Sequence, residues 1–589
     1  MKQLILCAVL WVATVLHAQA QQPITWDPVV ALSQRVADSS VYVTKVVPDG
    51  QGNLYVAGSI AGRVHLGSTT LESTRNYYGS YTGDIFVGKY SLSTGRYLWA
   101  TSTGGNGGES ARELVVVGNS IYLAGTTRAP AATTARLTFG ATTYTTTAGF
   151  CLFVAKLTDQ GSRAAWQWGK VGVNDYLSDL VGLGVNGTSV YLAGDLSGTM
   201  KWDTKTAKSN QALAYNADDL LVVKITDAGS TATVAWAQCI GSATYENADA
   251  FAMSGNNLYF AGDYFNTSTI GGTPLPNTGT GTSTDAFVIK LTDTGPAVAP
   301  VWVQHLGGTG TDVVRALALN GSTLYLGGNT GSRRLALGPG LALAARDTAR
   351  GANTPFLARL TDAGPSSSFQ WAAAVPGAGD TAVEQLLRAG GQLYVGGSFS
   401  GDSVTLGRTV LRNRNPLNTD LYALRLEETP TGATPVWAGR LGSTSYDFLY
   451  SLLLLNDRLY VQAYNTAATT IGATAVPAGT SYLAAAVPQT PLATTGATTL
   501  PGTRVHLYPN PAHAAATLAL AGLPARATHV QLTLLDATGR TVGRHRLGTA
   551  GGPLPLAGLA PGLYGVRLTA QDAQGRTLGE LPAQRVSVW

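Results

Sequence analysis

An acidic residue recurs at a nearly fixed distance from tryptophan: Glu109, Asp175, Glu246, Asp312, Asp380 and Asp447 each follow a Trp by 9–10 positions. Six carboxylates gathered in one place could hold a cation or supply an acid/base pair. No D-x-D-x-D-G calcium loop accompanies them, and a plainer role is open: a strand-start carboxylate that accepts backbone N–H bonds. A second set is aromatic. Asn76-Tyr77-Tyr78-Gly79-Ser80-Tyr81 places three tyrosines in a polar stretch, and Tyr144, Trp202, Tyr215, Tyr264 and Phe265 lie in corresponding stretches. Aromatic faces beside Asn and Thr suit stacking on sugars, with packing inside their own segment as the structural alternative. Outside positions 1–20 and the tail, histidine occurs only at His65 and His305, neither in a catalytic motif. No zinc spacing or phosphate loop is present, so no cofactor, no metal and no enzymatic activity is expected.

These residues are carried by a repeat. The element L-Y-x-A/G-G recurs at nearly equal steps, with tyrosine at Tyr55, Tyr122, Tyr191, Tyr259, Tyr325, Tyr394 and Tyr460. A tryptophan precedes each later copy at a similar distance, at Trp99, Trp166, Trp236, Trp302, Trp371 and Trp437, with Trp26 as a looser first copy. The fourth copy reads as four short strands. Asp249–Ser254 and Leu258–Gly262 flank the turn Gly255-Asn256-Asn257, then Asp285–Leu291 and Pro300–His305 follow. Four antiparallel strands repeated seven times predict an all-β fold, a seven-bladed β-propeller over residues 21–487. The chain opens on a Trp strand and leaves the repeat after a third strand, so the N-terminal strand is expected to close the last blade. The Trp and Tyr are expected to fill the gaps between blades.

Each unit is longer than the roughly 40–45 residues a blade needs. The excess lies between the second and third strands and has its own pattern, as in Val64-His65-Leu66-Gly67 and Leu137-Thr138-Phe139-Gly140, with Asp203 standing where Gly is expected in the third copy. An added hairpin on every blade follows. Meander topology puts these hairpins on the same face as the connections carrying the six carboxylates, which would then ring the mouth of the channel. The hairpins either cover blade edges or form a recognition rim.

Charged residues make up only 12% of the chain, with a net charge of +5. Residues 504–589 alone carry +5, so the repeat has no basic stripe and nucleic acid is not an expected partner. Residues 1–20 read as a signal peptide: Lys2, an apolar run over 4–16, and Ala18-Gln19-Ala20 as the cleavage site. No later segment is apolar for long enough to span a membrane as a helix. Cys151 and Cys239 are expected as buried small hydrophobes, and a monomer is expected. Residues 488–503 read as a linker, and 504–589 as a small Ig-like β-sandwich.

Two resemblances follow from these motifs. The L-Y-x-x-G, D-x-F-V-x-K-L and Trp-strand units, the last ending as in Leu306-Gly307-Gly308, resemble the bacterial β-propeller repeat family often called SBBP. That resemblance implies an extracellular propeller and no particular activity. The tail is similar to the type A C-terminal sorting domains of type IX secretion. Tyr508-Pro509-Asn510-Pro511, Leu535-Asp536-Ala537-Thr538-Gly539-Arg540 and Leu559-Ala560-Pro561-Gly562-Leu563-Tyr564 carry the match. It implies handling by the type IX machinery through residues 504–589, passage across the outer membrane and removal of the domain, with frequent attachment to surface lipopolysaccharide. The function expected is that of an exported binding protein, with a glycan or cell-surface ligand. A polysaccharide lyase or hydrolase and a passive surface scaffold are the alternatives.

Overall fold

The computed structural model describes residues 24–588 apart from 34–38, 76–79, 129–133, 147–148, 175, 211–217, 280–282, 346–352, 376–380, 390, 489–499, 501, 509, 511, 513–514, 537–540, 561 and 582–583. The predicted signal peptide and most of the predicted linker lie outside them. Every regular element among the described residues is a strand. The chain divides at Val487/Pro488 into two compact units.

Among the described residues, the first unit is built from seven antiparallel sheets with a core of four strands each, two of them extended to six by a hairpin. Sheet 1 runs Ser40–Pro48, Asn53–Ala61, Asp84–Ser91, Arg96–Thr103, and sheet 2 runs Gly108–Val117, Ser120–Arg128, Phe150–Asp159, Ala164–Asn174. Sheet 3 has Leu177–Asn186, Ser189–Ser197, Asp219–Asp227 and Ala232–Ile240, and sheet 4 has Glu246–Ser254, Asn257–Phe265, Thr284–Asp293 and Val298–Gly307. Sheet 5 has Asp312–Asn320, Thr323–Thr330, Thr354–Asp362 and Ser367–Ala374, and sheet 6 has Thr381–Ala389, Gln392–Phe399, Asp420–Thr429 and Gly432–Leu441. In sheet 7, Asp447–Leu455, Arg458–Asn465 and Thr480–Pro488 are joined by Ile24–Ala31, which pairs with the third strand as predicted.

The middle strands are apolar on both faces because each sheet packs between two others. Leu54, Tyr55, Val56 and Ala57 are consecutive and all buried. Cores lie between sheets 1 and 2, 2 and 3, and so on to 6 and 7. A further core joins Leu453, Tyr460 and Leu483 of sheet 7 to Val41, Val43 and Leu54 of sheet 1. First strands touch in the same cyclic order.

The repeat residues meet at a polar node inside these cores. Asp227, which ends the third strand of sheet 3, accepts from three groups of sheet 2: Tyr122 OH at 2.7 Å, Lys156 Nζ at 2.6 Å and Trp168 Nε1 at 2.9 Å. Its other task is local, since Oδ1 also takes the Gly229 N–H of its own turn at 2.9 Å. The same construction links Tyr55, Lys89 and Trp99 to Asp159, and Tyr259, Lys290 and Trp302 to Asp362. Tyr191 and Lys224 meet Asp293, while Trp236 turns to the Gly295 carbonyl. Between sheets 5 and 6, Glu428 receives Tyr325 and Arg359. The equivalent tryptophan of sheet 2 is therefore Trp168 and not Trp166. With Trp168, the distance from each Trp to the next repeat Tyr is the same in every copy from Trp99 onward.

Hairpins occupy the excess sequence of every sheet, for example Arg63–Leu66 with Thr69–Glu72 and Thr199–Trp202 with Lys205–Lys208. Their turn glycines have positive φ, and Asp203 adopts the same left-handed conformation (φ 47°) in place of glycine. The hairpins lie on outermost strands. Trp202 pairs with Gly172 of sheet 2, and Leu337 pairs with Leu306 of sheet 4. They cover strand edges, the first of the two predicted roles.

The second unit has one sheet of Arg504–Tyr508, Ala515–Ala521 and Gly551–Pro555, and another of His529–Leu535, Thr541–Leu547, Gly562–Gln571, Thr577–Glu580 and Gln584–Val588. Leu518 and Leu554 of the first share one core with Leu532, Val566 and Leu568 of the second.

Burial raises the Asp227 carboxyl, but the bonds from Lys156, Tyr122 and Trp168 outweigh it and hold the group below the usual carboxylate range. A lowered carboxyl stabilises the fold above its unfolded value of about 4, and that contribution is lost as pH falls through the folded value. Asp227→Ala leaves Lys156 buried without its partner and is expected to cost about 3–5 kcal/mol at pH 7. Chemical denaturation should show that deficit shrinking below about pH 4.

Candidate functional site

The described carboxylates of the predicted ring are buried. Glu109 is 2% exposed, Glu246 and Asp312 0%, and Asp447 4%. Each ties together its own connection. Glu109 accepts from Gly105 N and Thr127 Oγ1, and Asp447 from the N–H and hydroxyl of Ser443. Glu246 takes hydroxyls from Ser242 and Thr244, and Asp312 those of Thr330 and Ser332. Hydroxyls and backbone N–H groups around each connection take up these carboxylates, so they are not exposed. Burial pushes Glu109 up to about 8 and Asp312 and Asp447 up to about 6. Asp175 and Asp380 lie outside the described residues. In strand register the positions matching Glu246 in sheets 3 and 6 are Ser178 and Thr381.

The aromatic candidates are corrected in the same way. Trp202 is fully buried in the core between sheets 2 and 3. Tyr264 is fully buried, with its hydroxyl on the Pro276 carbonyl at 2.8 Å. Tyr144 is half-buried and donates to Gly169 O at 2.5 Å. Phe265 packs on Tyr245 with ring centroids 5.2 Å apart, and Tyr81 lies under the Arg75 guanidinium at 3.8 Å. Because the hairpins fold back onto the outer strands, their large side chains become the base of that contact. Tyr77 and Tyr78 lie outside the described residues, as does Tyr215.

A different set of polar residues is brought together. Every first strand carries a β-bulge at the same place, and the residue left out of the pairing is Thr44, Arg112, Val181, Asp249, Arg315, Glu384 and Tyr450 in turn. A bulge re-aims its side chain off the ladder. Arg112 and Arg315 are exposed. The Arg315 charge lowers Asp249, Asp263 and Glu384 against the larger upward push of burial, which still leaves Asp263 at about 6. Arg112 lies near enough to Tyr42 to act on its phenol, and Tyr42 contacts the rings of Tyr450 and Tyr464 at 5.5 and 4.9 Å. Two cavities open here. One of about 450 Å³ is lined by Arg112, Phe150, Asp179, Asp195, Asp218 and Asn247. The other, of about 280 Å³, is lined by Arg315, Asn329, Asn353, Thr381 and Ser398. Asp195 is buried, and burial places its carboxyl well above the usual range; the Ala248 N–H opposes this and Asp218, Asp249 and Asp179 reinforce it. The bulge residues have no common residue type, only arginine occurring twice, so the sequence repeat does not reveal them. Their signal is positional: each stands at one place in the repeat.

In the second unit, Asn510 Oδ1 accepts the Ser587 N–H at 2.9 Å, fastening the segment after Tyr508 to the last strand. Tyr508 is exposed; Tyr564 is buried with its hydroxyl on Ala560 O at 2.7 Å, and Gly562 opens its strand. Pro509, Pro511 and Gly539 lie outside the described residues. Residues 506–577 match the family described as a secretion system C-terminal sorting domain. They are a sorting domain of the type IX kind, so the protein is handled by the type IX machinery and is exported to the cell surface or secreted. No helix among the described residues is long and apolar enough to cross a membrane.

No curated protein is similar in sequence to this chain. Among solved structures, it aligns with the extracellular domain assigned to the hybrid two-component system BT4673 from B. thetaiotaomicron, at 11% identity and a TM-score of 0.14, over 97% of this chain and 100% of that one. A second is the extracellular domain assigned to the hybrid two-component system BT3049 of the same organism, at 9% and 0.13, over 95% and 100%. At such TM-scores the chains do not superpose as wholes, and no fold or ligand is carried over from them.

Two outcomes follow. Arg315→Ala leaves Asp249, Asp263 and Glu384 without their shared cation. Raised carboxyls cost stability as pH rises through their folded values, so the loss of melting temperature should be larger at pH 8 than at pH 5. Deletion of 504–589 should leave the protein in the periplasm, read by cell fractionation.

Proposed function

We propose that the repeat unit is a seven-bladed β-propeller of the SBBP-repeat kind, closed by its N-terminal strand, and that it acts outside the cell as a non-catalytic binding protein for a polar ligand, a glycan above all. The cyclic order of sheet contacts and the pairing of Ile24–Ala31 with the last sheet support the propeller. The observation that carries the binding reading is the contrast between two kinds of repeat position. The node residues keep their type from sheet to sheet, whereas the bulge position varies among Arg, Asp, Glu, Tyr, Thr and Val. A position left out of the strand pairing and varying in type from sheet to sheet suits a surface that reads one asymmetric ligand. Arginine, carboxylates, Asn247 and the Phe150 ring around a cavity of about 450 Å³ provide the hydrogen-bonding groups and the apolar face a sugar needs.

The test is a glycan-array screen with the exported protein. Binding should fall at least about tenfold, about 1.4 kcal/mol, in the Arg112→Ala/Asp179→Ala variant. It should be unchanged in Lys201→Ala, on the hairpin face. Turnover of a polysaccharide would favour an enzyme, and loss of binding in Lys201→Ala alone would move the site to the hairpins.

A further inference from the structure

The buried carboxylates come in pairs. Asp84, Asp219, Asp285 and Asp420 start third strands, five residues before the Lys or Arg that faces the node tryptophan. Each stands beside the carboxylate at the start of the next sheet: Asp84 acts on Glu109, Asp285 on Asp312 and Asp420 on Asp447, while at the fourth junction Glu246 acts on Asp219. At the remaining junctions both positions are uncharged: Cys151 with Ser178, Thr354 with Thr381, Thr480 with Val41. No junction has one carboxylate alone. A third position follows the same rule. Five residues after the tryptophan, the paired junctions have Gly104, Gly241, Gly307 and Gly442, and the others have Val173, Pro376 and Ala31. Like charges held together in a protein interior need a positive charge or a proton between them.

Two junctions carry a basic side chain beside the pair. His305 Nε2 lies 2.9 Å from Asp285, and Arg440 NH1 lies 2.7 Å from Asp420. Both stand three residues after the tryptophan. At the Asp219–Glu246 junction this place is taken by Cys239, and among the described residues no basic side chain pairs with either carboxylate. Asp219 is 0% exposed and its Oδ1 has no hydrogen-bond partner. That oxygen points at the space left by the missing side chain of Gly241. A Cβ there would sit 2.4 Å from Asp219 Oδ1 and 2.8 Å from Glu246 Oε2.

We propose that the Asp219–Glu246 junction binds a divalent cation of the hard, oxygen-preferring class, calcium, between Asp219 Oδ1 and Glu246 Oε2 beside Gly241. Two carboxylates with an unpartnered oxygen suit calcium, which takes oxygen ligands and completes its shell with carbonyls and water. The ion does at this junction what Arg440 does at the Asp420–Asp447 junction. Neither Asp219 nor Glu246 lines the proposed binding cavities, although their chain neighbours Asp218 and Asn247 line the larger one, and calcium binding is read independently of any glycan.

The test uses the full exported chain, stripped with chelator and titrated with calcium chloride in a calorimeter, with thermal unfolding in parallel. Saturable binding is expected, with a melting temperature raised by about 3 °C when calcium exceeds its dissociation constant a hundredfold. Glu246→Gln should weaken binding at least about tenfold. Cys239→Arg, which copies the Arg440 arrangement, should fold and lose the calcium dependence. Absence of heat and of any melting shift up to about 10 mM calcium would overturn the proposal in favour of a shared proton. So would undiminished binding in a folded Cys239→Arg protein.

Discussion

In five of the seven sheets, a single carboxylate at the end of the third strand joins the sheet to the previous one. At Asp227 it closes its own turn through Gly229 and receives a phenol, an ammonium and an indole from the neighbouring sheet. Apolar packing between sheets is not directional and would tolerate sliding of one sheet over another. The node removes that freedom, because a buried Lys–Asp pair is tolerated only where its hydrogen bonds are made. Rotation and stagger between neighbouring sheets are thereby set by three polar atoms meeting one carboxylate. Where the node is altered, as at Glu428, Tyr325 keeps its acid and arginine replaces lysine, while the Trp371 indole is left buried without a partner.

That constraint accounts for what could be read in the sequence. The Tyr and Trp positions recur in every copy and the Lys and Asp in most, so sheet number, strand order and the closing strand are legible from spacing. Trp166 and Trp168 lie in one strand; pairing opposite Lys156 identifies Trp168 as the node residue, and so does its spacing to Tyr191. The recurrent carboxylates are visible as a pattern, but their burial depends on groups distant in sequence, such as Ser332 and Thr330 closing on Asp312. Tyr264 and Trp202 read as exposed because polar residues surround them in sequence, and the hairpins bury them by turning back. In the tail, Gly551–Pro555 is a strand despite its Gly and Pro. It lies at the edge of its sheet, where proline is tolerated.

The sheets therefore divide their residues between two duties. Outer and middle positions repeat and hold the assembly, and the hairpins shield the outermost strands from pairing with other chains. The bulges do the opposite. They interrupt the ladder at one place in each first strand and release one side chain from the packing rule. Arg112 and Arg315 stand among carboxylates whose burial would otherwise cost more.

The pairing of Ile24–Ala31 with Thr480–Pro488 joins the two ends of the repeat. The strand that emerges earliest from the ribosome is thus among the last to find its partner. Until then the third strand of sheet 7 lacks its outer neighbour, and Trp26 lacks its place against Arg440. Contacts so distant in sequence are slow to form. How long the last sheet stays incomplete is thus set by the chain's own topology.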